Sequence, residues 1–99
     1  MAIVRLQDAE QMTEETYNRV ADKMGVRDNP PDGLVVHTAG EVDGHWRIVD
    51  VWETEEAMQR FDQERLGPAV AEVLKELGGD VPDGPPAHKS WEARSIIKG

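Results

Sequence analysis

The chain of 99 residues has no cysteine, which excludes disulfide bonds and thiolate chemistry and is consistent with a reducing compartment. Positive charge is also scarce, because 11 basic residues stand against 20 acidic ones and the net charge is −9. Attraction to phosphate backbones is therefore unfavourable, and we expect no nucleic-acid partner. No apolar run approaches the length of a membrane span or of a signal peptide. We therefore predict a cytoplasmic protein with no membrane partner.

Local patterns predict alternating strands and helices within a single domain spanning residues 1–99, since a chain of this length supports one hydrophobic core. A strand is predicted at 2–7, where the side chains alternate and place Arg5 and Gln7 on the same side. A helix begins after Thr13, whose hydroxyl can cap it, and ends at Gly25. The proline-rich segment 26–33 predicts a loop.

The second half of the chain predicts two helices and a last strand. One helix follows the capping residue Thr54, and Gly67-Pro68 predicts a break before a third helix that ends at Gly78-Gly79. A proline-rich loop at 80–87 leads to a strand at 88–97. With a hairpin at 34–53, the order β-α-β-β-α-α-β predicts an α+β fold, a ferredoxin-like split βαβ sandwich with a four-stranded antiparallel sheet.

The hairpin is the most informative part of the sequence, because its turn fixes its register. Asp43-Gly44 is a dipeptide favoured in two-residue type I′ turns, where both central positions have positive φ. This turn predicts that His37 faces Asp50 across the two strands. An imidazole beside a carboxylate, with tryptophans on the same face, is a candidate proton-transfer pair.

The same register predicts that both faces of the hairpin are largely apolar. One face carries Val35, His37, Ala39, Trp46, Ile48, Asp50 and Trp52. The other carries Leu34, Val36, Thr38, Arg47, Val49 and Val51. The helices of one chain cover only one face of a four-stranded sheet, so the other face requires a further partner. A second copy packed sheet to sheet is the simplest cover, and we predict an isologous homodimer.

Three stretches resemble the dimeric α+β barrel superfamily, and in particular the small antibiotic-biosynthesis-monooxygenase-like proteins common in actinobacteria. They are GLVVHTAG at 33–40, DGHWRIVDVWETEEAMQRF at 43–61 and the closing SIIKG. The resemblance implies two ferredoxin-like protomers whose sheets form a homodimeric α/β barrel, each with a pocket between sheet and helices. The superfamily includes cofactor-free monooxygenases of quinol-like polyketides, haem-degrading enzymes, cyclases, decarboxylases, dehydratases and proteins of no known activity, so the resemblance specifies a fold more closely than a reaction.

One member activity is disfavoured by the first strand. Haem-degrading members of the superfamily use an asparagine there, together with a tryptophan and a histidine elsewhere. This chain offers Gln7 and no asparagine in that strand. Haem degradation is therefore disfavoured, and we expect no cofactor.

His37 and Asp50 are the candidate catalytic residues. A carboxylate hydrogen-bonded to one ring nitrogen fixes the imidazole tautomer and makes the other nitrogen more basic, as a general base requires. The competing interpretation is a cross-strand polar pair that has only a structural role.

Aromatic residues are few, since the chain has three tryptophans, one tyrosine and one phenylalanine. Flat apolar pockets with a few polar groups favour planar ligands. The candidate substrate-binding residues are Trp52, Trp46, Tyr17, Phe61, Met58 and Trp91. Packing in the hydrophobic core is the alternative for each of them.

The remaining histidines, His45 and His88, are expected to face solvent, and the histidine spacing does not predict a metal site. The leading hypothesis is a small cofactor-independent enzyme, monooxygenase-like or cyclase/isomerase-like, acting on an aromatic or polyketide-type molecule. In this hypothesis His37 abstracts a proton and Asp50 orients it. The alternative is a non-catalytic dimeric module that binds a small ligand or serves a stress response.

Overall fold

The computed structural model describes residues 2–9, 12–78 and 88–99. Within these residues the strands are β1 (Ile3–Ala9), β2 (Leu34–Val42), β3 (His45–Trp52) and β4 (His88–Glu92). The helices are α1 (Glu14–Met24), α2 (Glu55–Phe61) and α3 (Gly67–Glu76), with a π-helical turn at Asp62–Leu66 between the last two. The predicted loop at 80–87 lies outside the described residues. None of the described helices is long and apolar enough to span a bilayer.

The four strands form one sheet in the order β2-β3-β1-β4, and each neighbouring pair is antiparallel. This arrangement confirms the predicted ferredoxin-like fold. The predicted extension of the last strand to Ile97 is wrong, because β4 ends at Glu92. Its neighbour β1 begins at Ile3, which lies directly opposite Glu92, and one further backbone bond, from Ala93 N–H to the Ala2 carbonyl at 2.8 Å, follows these paired residues. Ile97 is 92% exposed.

The hairpin turn adopts the predicted conformation, with φ of 50° at Asp43 and 83° at Gly44. The predicted pairing of His37 with Asp50 is confirmed. At the far end of β2, however, a bulge places Leu34 opposite Trp52, where the register predicts Val35. A bulge inserts one extra residue into one strand, so the turn alone could not fix the pairing beyond it.

Both predicted helix caps are confirmed. The Thr13 hydroxyl accepts a hydrogen bond from the Thr16 backbone N–H, and the Thr54 hydroxyl accepts one from Ala57 N–H, each at 3.1 Å. Gly25 ends α1 in the left-handed conformation, with φ of 67°. Local side-chain chemistry therefore sets both helix starts, as the sequence predicts.

The third helix begins at Gly67 with Pro68 in its first turn, as predicted, but the helical backbone continues into it from α2 without interruption. Gly67 N–H donates to the Asp62 carbonyl five residues back, which is a π-helical bond. Proline has no N–H to donate to the fourth residue before it, and the wider π turn accommodates that missing bond without ending the helix. The π turn begins at Asp62, whose side chain enters the candidate site described below.

The helices cover one face of the sheet. Tyr17 of α1 contacts Trp46, and Phe61 of α2 contacts Trp52. We call this the covered face; its most buried members are Arg5, Gln7, Trp46, Asp50 and Trp52. A purely apolar cluster lies between α1 and α3 and consists of Val20, Ala69 and Val73, flanked by Met24, Leu66 and Val70.

The opposite side of the sheet, which we call the open face, carries apolar side chains that remain accessible. Its apolar members are Val4, Leu6, Val36, Val49, Val51 and Trp91. Val36 and Trp91 are each 48% exposed. The prediction of an apolar second face is therefore confirmed, whereas the covered face is more polar than the hairpin sequence suggests, because Arg5 and Gln7 of β1 lie on it.

Candidate functional site

The hairpin brings His37 and Asp50 together on the covered face. The distance from His37 Nδ1 to Asp50 Oδ2 is 3.5 Å, and the side chains are 35% and 3% exposed. This distance allows an electrostatic contact but is longer than a hydrogen bond. The predicted hydrogen bond within the pair is therefore not formed in this structure, although hydrogen bonds of unliganded sites commonly shorten when a ligand binds.

Tyr17 supplies a strong contact to the other nitrogen of the same imidazole. Its Oη lies 2.6 Å from His37 Nε2, and the two rings are nearly parallel, at 2°. The inward stripe of α1 places Tyr17 over β2, as the sequence predicts for an inward-facing residue. Burial raises the pKa of Tyr17, Arg27 opposes this shift, and the charge of Asp50 adds to it. Tyr17 is therefore a protonated phenol at neutral pH.

Arg5 and Asp62 complete the site and were not among the predicted site residues. Arg5 Nε lies 3.4 Å from Asp50 Oδ1, and Arg5 Nη1 donates to Asp62 Oδ2 at 2.5 Å. Arg5 is 3% exposed and Asp50 is 2% exposed, so both charges are withdrawn from solvent. The sequence holds one signal of this role, since strand alternation places Arg5 on the side that the helices cover.

Together these residues form a chain of polar contacts running Tyr17, His37, Asp50, Arg5, Asp62. It crosses from α1 over β2, β3 and β1 to the π turn. Several buried atoms along it lack a hydrogen-bond partner: Arg5 Nε, Asp50 Oδ1 and Asp62 Oδ1. Buried polar groups without partners are costly in a purely structural role, which marks this chain of contacts as a candidate functional site.

The structure divides the predicted substrate-binding residues into separate groups. Trp46 lies against Tyr17, with ring centroids 5.2 Å apart, and is next to the imidazole site. Trp52 and Phe61 form a second aromatic pair under α2, with centroids 5.1 Å apart, and Met58 of that helix is also buried. The indole N–H groups of Trp46 and Trp52 are buried without a partner.

Trp91 is not brought to the other aromatic residues. It lies on the open face, opposite Val4 in the pairing of β1 and β4. Alternation along β4 decides this placement, because Ser90, the neighbour of Trp91 in sequence, faces Arg5 on the covered side. The predicted set of six therefore does not form one pocket in this chain.

A cleft of about 140 Å³ lies apart from the imidazole, between the loop at 29–32 and the helical segment that begins with α2. Its lining is Asn29, Pro30, Pro31, Asp32, Ala57, Arg60, Phe61, Glu64 and Arg65. Of the predicted substrate-binding residues, Phe61 belongs to this lining. His37 does not line this cleft, and 35% of its side chain is exposed at the edge strand β2.

A second polar group lies on the open face and corrects the expectation for His45. Its side chain is 26% exposed, with Nε2 3.5 Å from Asp8 Oδ1. Arg47 donates two hydrogen bonds to Asp8, at 2.7 and 3.2 Å, and they hold the pKa of Asp8 below 3.8. His88 is exposed, as predicted. Across the described part of the chain, no three histidine or acidic side chains converge as metal ligands.

No protein-family model matches the sequence, and no curated protein matches it. Solved structures do match. SnoaB, a cofactor-independent oxygenase from Streptomyces nogalater, is 18% identical with a TM-score of 0.55, over 97% of this chain and 93% of that one. The haem-degrading protein Rv3592 from Mycobacterium tuberculosis is 17% identical with a TM-score of 0.60, over 99% and 100%. A Deinococcus radiodurans protein grouped with the antibiotic biosynthesis monooxygenases is 19% identical with a TM-score of 0.57, over 99% and 97%.

These matches extend over nearly the full length of this chain and of each matched chain, and they confirm the fold that the sequence resemblance implies. The chain shares the ferredoxin-like α+β fold of these solved structures. Identities of 17 to 19% establish a fold and no activity. The function of this chain therefore depends on the chemistry and geometry of its own side chains.

Proposed function

We propose that this protein is a small cofactor-independent enzyme that removes a proton from an aromatic or polyketide-type molecule. The observation that carries the proposal is the 2.6 Å contact between Tyr17 Oη and His37 Nε2, with Asp50 on the other side of the imidazole. A tyrosine, a histidine and a buried carboxylate in series provide a route for one proton from the site into the protein.

The proton route follows from the protonation state of Tyr17. Because burial keeps Tyr17 protonated, it acts as a relay and not as a resting base. The substrate O–H or activated C–H gives its proton to Tyr17 Oη while Tyr17 passes its own proton to His37 Nε2. Asp50 then faces the imidazolium through Nδ1 and stabilises its positive charge. The substrate is left as an enolate or phenolate anion.

Two reaction types begin with this anion. Molecular oxygen can add to it to give a peroxide, which takes back the proton held at His37 and loses water, so that one oxygen atom stays in the quinone product, as in a monooxygenase. Alternatively, the anion can close a ring or shift a double bond. The fold neighbours include one protein described as a cofactor-independent oxygenase, which supports the first type. Haem degradation is not proposed, because β1 offers a buried Gln7 and no asparagine, and the resemblance associates haem degradation with an asparagine on the first strand.

We expect the active form to be a homodimer that joins two open faces. The support is the apolar surface formed by Val49, Val51, Val36 and Trp91 on a sheet whose other face is already covered. Large apolar patches rimmed by polar groups commonly mark association surfaces. An isologous dimer would bury this surface in both protomers with one kind of contact.

The experiment is a turnover assay of purified protein with a panel of polycyclic quinols, followed by product absorbance and oxygen consumption. His37→Ala is expected to lower turnover by about 10²- to 10⁴-fold, the usual contribution of a general base. His45→Ala is the matched control, because it removes a histidine from the open face. Unchanged turnover by His37→Ala would exclude the general-base role.

A non-catalytic ligand-binding module is the second candidate. It is favoured by the ion pair that Asp50 already makes with Arg5, which gives the carboxylate a structural partner. It is also favoured by the position of the 140 Å³ cleft away from His37. A ligand from the same panel that binds equally well to the unmodified chain and to His37→Ala, with no product formed, would support this function.

A further inference from the structure

Asp50 is flanked by two basic side chains in one row across the sheet. In the strand pairing, Arg5 of β1 lies directly opposite Asp50 of β3, and Asp50 lies directly opposite His37 of β2. Arg5 approaches Oδ1 at 3.4 Å and His37 approaches Oδ2 at 3.5 Å. The two bases therefore share one carboxylate, each through a different oxygen.

The Asp50 carboxylate carries one negative charge, so it cannot neutralise a positive charge on both Arg5 and His37. Arg5 is always a cation, and with 3% of its side chain exposed it depends on protein carboxylates for compensation. Its second carboxylate, Asp62, is 36% exposed and thus partly hydrated. Arg5 therefore offsets part of the Asp50 charge that the His37 imidazole faces.

We propose that Arg5 is a positioning residue that keeps the His37 imidazole neutral and its Nε2 available as a proton acceptor. Arg5 acts through Asp50 and does not touch the imidazole. The importance of a neutral imidazole rests on the proposed function, but the charge effect itself does not require any substrate. Removal of Arg5 leaves Asp50 with His37 as its nearest basic partner, and the imidazole then takes up a proton to balance it.

The charged and titratable groups around His37 come from every neighbouring element. Tyr17 of α1 contacts Nε2, Asp50 of β3 faces Nδ1, and Arg5 of β1 reaches it through Asp50. Arg27, which follows α1, acts on Tyr17 through its charge. Of the two cations among these groups, Arg5 is buried and Arg27 is 58% exposed, so removal of Arg5 is expected to change the field at the imidazole more than removal of Arg27.

The test is nitrogen-15 NMR of the His37 ring in the folded full-length chain without substrate. Ring nitrogen shifts distinguish a neutral imidazole from an imidazolium and report which nitrogen carries the proton. At one fixed pH near neutrality, Arg5→Met is expected to raise the ratio of imidazolium to imidazole at His37 about tenfold. The reason is that Asp50, which His37 faces at 3.5 Å, then loses its neighbouring cation, and an uncompensated charge so close typically changes a proton equilibrium by that much or more. An unchanged ratio in Arg5→Met would overturn the proposal.

Arg47→Met is the matched control. Arg47 also forms a cross-strand pair with an aspartate, Asp8 of β1, but it lies on the open face. Its removal is expected to leave the His37 ratio unchanged. A shift as large as that of Arg5→Met would mean that His37 responds to any loss of positive charge, and the positioning role would be wrong.

A second comparison removes both charges and does not depend on the stability of Arg5→Met. In an Asp50→Asn background Arg5 has no carboxylate through which to act on His37. Asp50→Asn alone and Arg5→Met with Asp50→Asn are therefore expected to give the same ratio. A difference between them would show that Arg5 acts by another route. Arg5→Lys, which retains the positive charge, is expected to restore a mostly neutral imidazole.

The results separate this inference from the proposed function. A tenfold change of the imidazolium-to-imidazole ratio in Arg5→Met, combined with no turnover of any quinol by the unmodified protein, would support the charge effect and contradict the proposed enzymatic function. Turnover that depends on His37, combined with an unchanged imidazolium-to-imidazole ratio in Arg5→Met, would support the proposed enzymatic function and contradict the positioning role of Arg5.

Discussion

The two faces of the sheet reverse the usual relation between polarity and exposure. The covered face lies under the helices and yet holds the most buried charges of the described residues, Arg5 and Asp50. The open face is accessible and yet carries valines, a leucine and Trp91. Protein interiors normally exclude ions, and accessible surfaces normally lack contiguous apolar side chains. Each face therefore lowers the stability of the isolated chain, which indicates that each has a functional role.

The difference between the faces indicates a different functional role for each. Buried charges indicate chemistry, because they hold protons and electrostatic fields in place. Accessible apolar side chains indicate association, because burial against a partner recovers the free energy that exposure loses. The covered face is thus the candidate site, and the open face is the candidate dimer interface. The predictions below test this division, starting with the largest expected effect.

Asp50→Ala is expected to destabilise the protein strongly, because it leaves Arg5 buried with only the half-hydrated Asp62 as a partner. Breaking a buried ion pair from one side commonly costs 3 to 5 kcal/mol, and with Asp62 still present we expect about 3 kcal/mol from urea unfolding. Asp8→Ala, which removes an aspartate from an arginine on the open face, is the control and is expected to cost far less. Equal losses would show that the two faces do not differ in how they bury charge.

Val51→Asp is expected to separate the proposed dimer while the fold is retained. The aspartate would place a charge in the middle of the open face, and burial of an unpaired charge against a partner is unfavourable enough to weaken association at least about tenfold. Sedimentation velocity across a concentration series measures the change. Leu77→Asp is the matched control, since Leu77 is also apolar and 49% exposed but lies at the end of α3. An unmodified chain that sediments as a monomer would contradict the interface.

Features that depend on local chemistry could be predicted from the sequence. The caps Thr13 and Thr54 and the Asp43-Gly44 turn depend on a few neighbouring residues, and so does the pairing of His37 with Asp50 that the turn dictates. The order of elements then limits the topology to a ferredoxin-like sheet. The fold and the central pair of the site were therefore accessible without coordinates.

Features that depend on distant partners could not be predicted. The end of β4 is set by where β1 begins, and the continuation through Pro68 requires a π turn that no local pattern announces. The contacts of Arg5 with Asp50 and Asp62 could not be predicted either, because these residues lie 45 and 57 positions away in sequence. The 3.5 Å separation of His37 and Asp50 likewise depends on how the sheet twists.

Tyr17→Phe tests the covered face with a smaller change. It removes the hydroxyl that contacts His37 Nε2 at 2.6 Å but retains the ring that packs on Trp46. Loss of one hydrogen bond of this kind is expected to lower the free energy of unfolding by about 1 kcal/mol. If Tyr17 relays a proton, turnover falls far more than stability does. Equal and small effects on both would leave Tyr17 with a packing role only.

Asp8→Asn tests the open face and is expected to have the smallest effect on stability. Hydrogen bonds from Arg47 hold the pKa of Asp8 below its ordinary value of 3.8, so the folded state binds this proton less readily than the unfolded state. The stabilisation is therefore complete above pH 3.8 and is lost as the pH falls through the lower folded-state pKa. Unfolding at about pH 6 and at about pH 2 is expected to show that Asp8→Asn is less stable than the unmodified chain only at the higher pH. A difference that persists at the lower pH would mean that the Asp8 contribution comes from its hydrogen-bonding geometry and not from its charge. The Asp8 and Arg47 pair on the open face would then stabilise the fold in the same way as the buried Arg5 and Asp50 pair on the covered face.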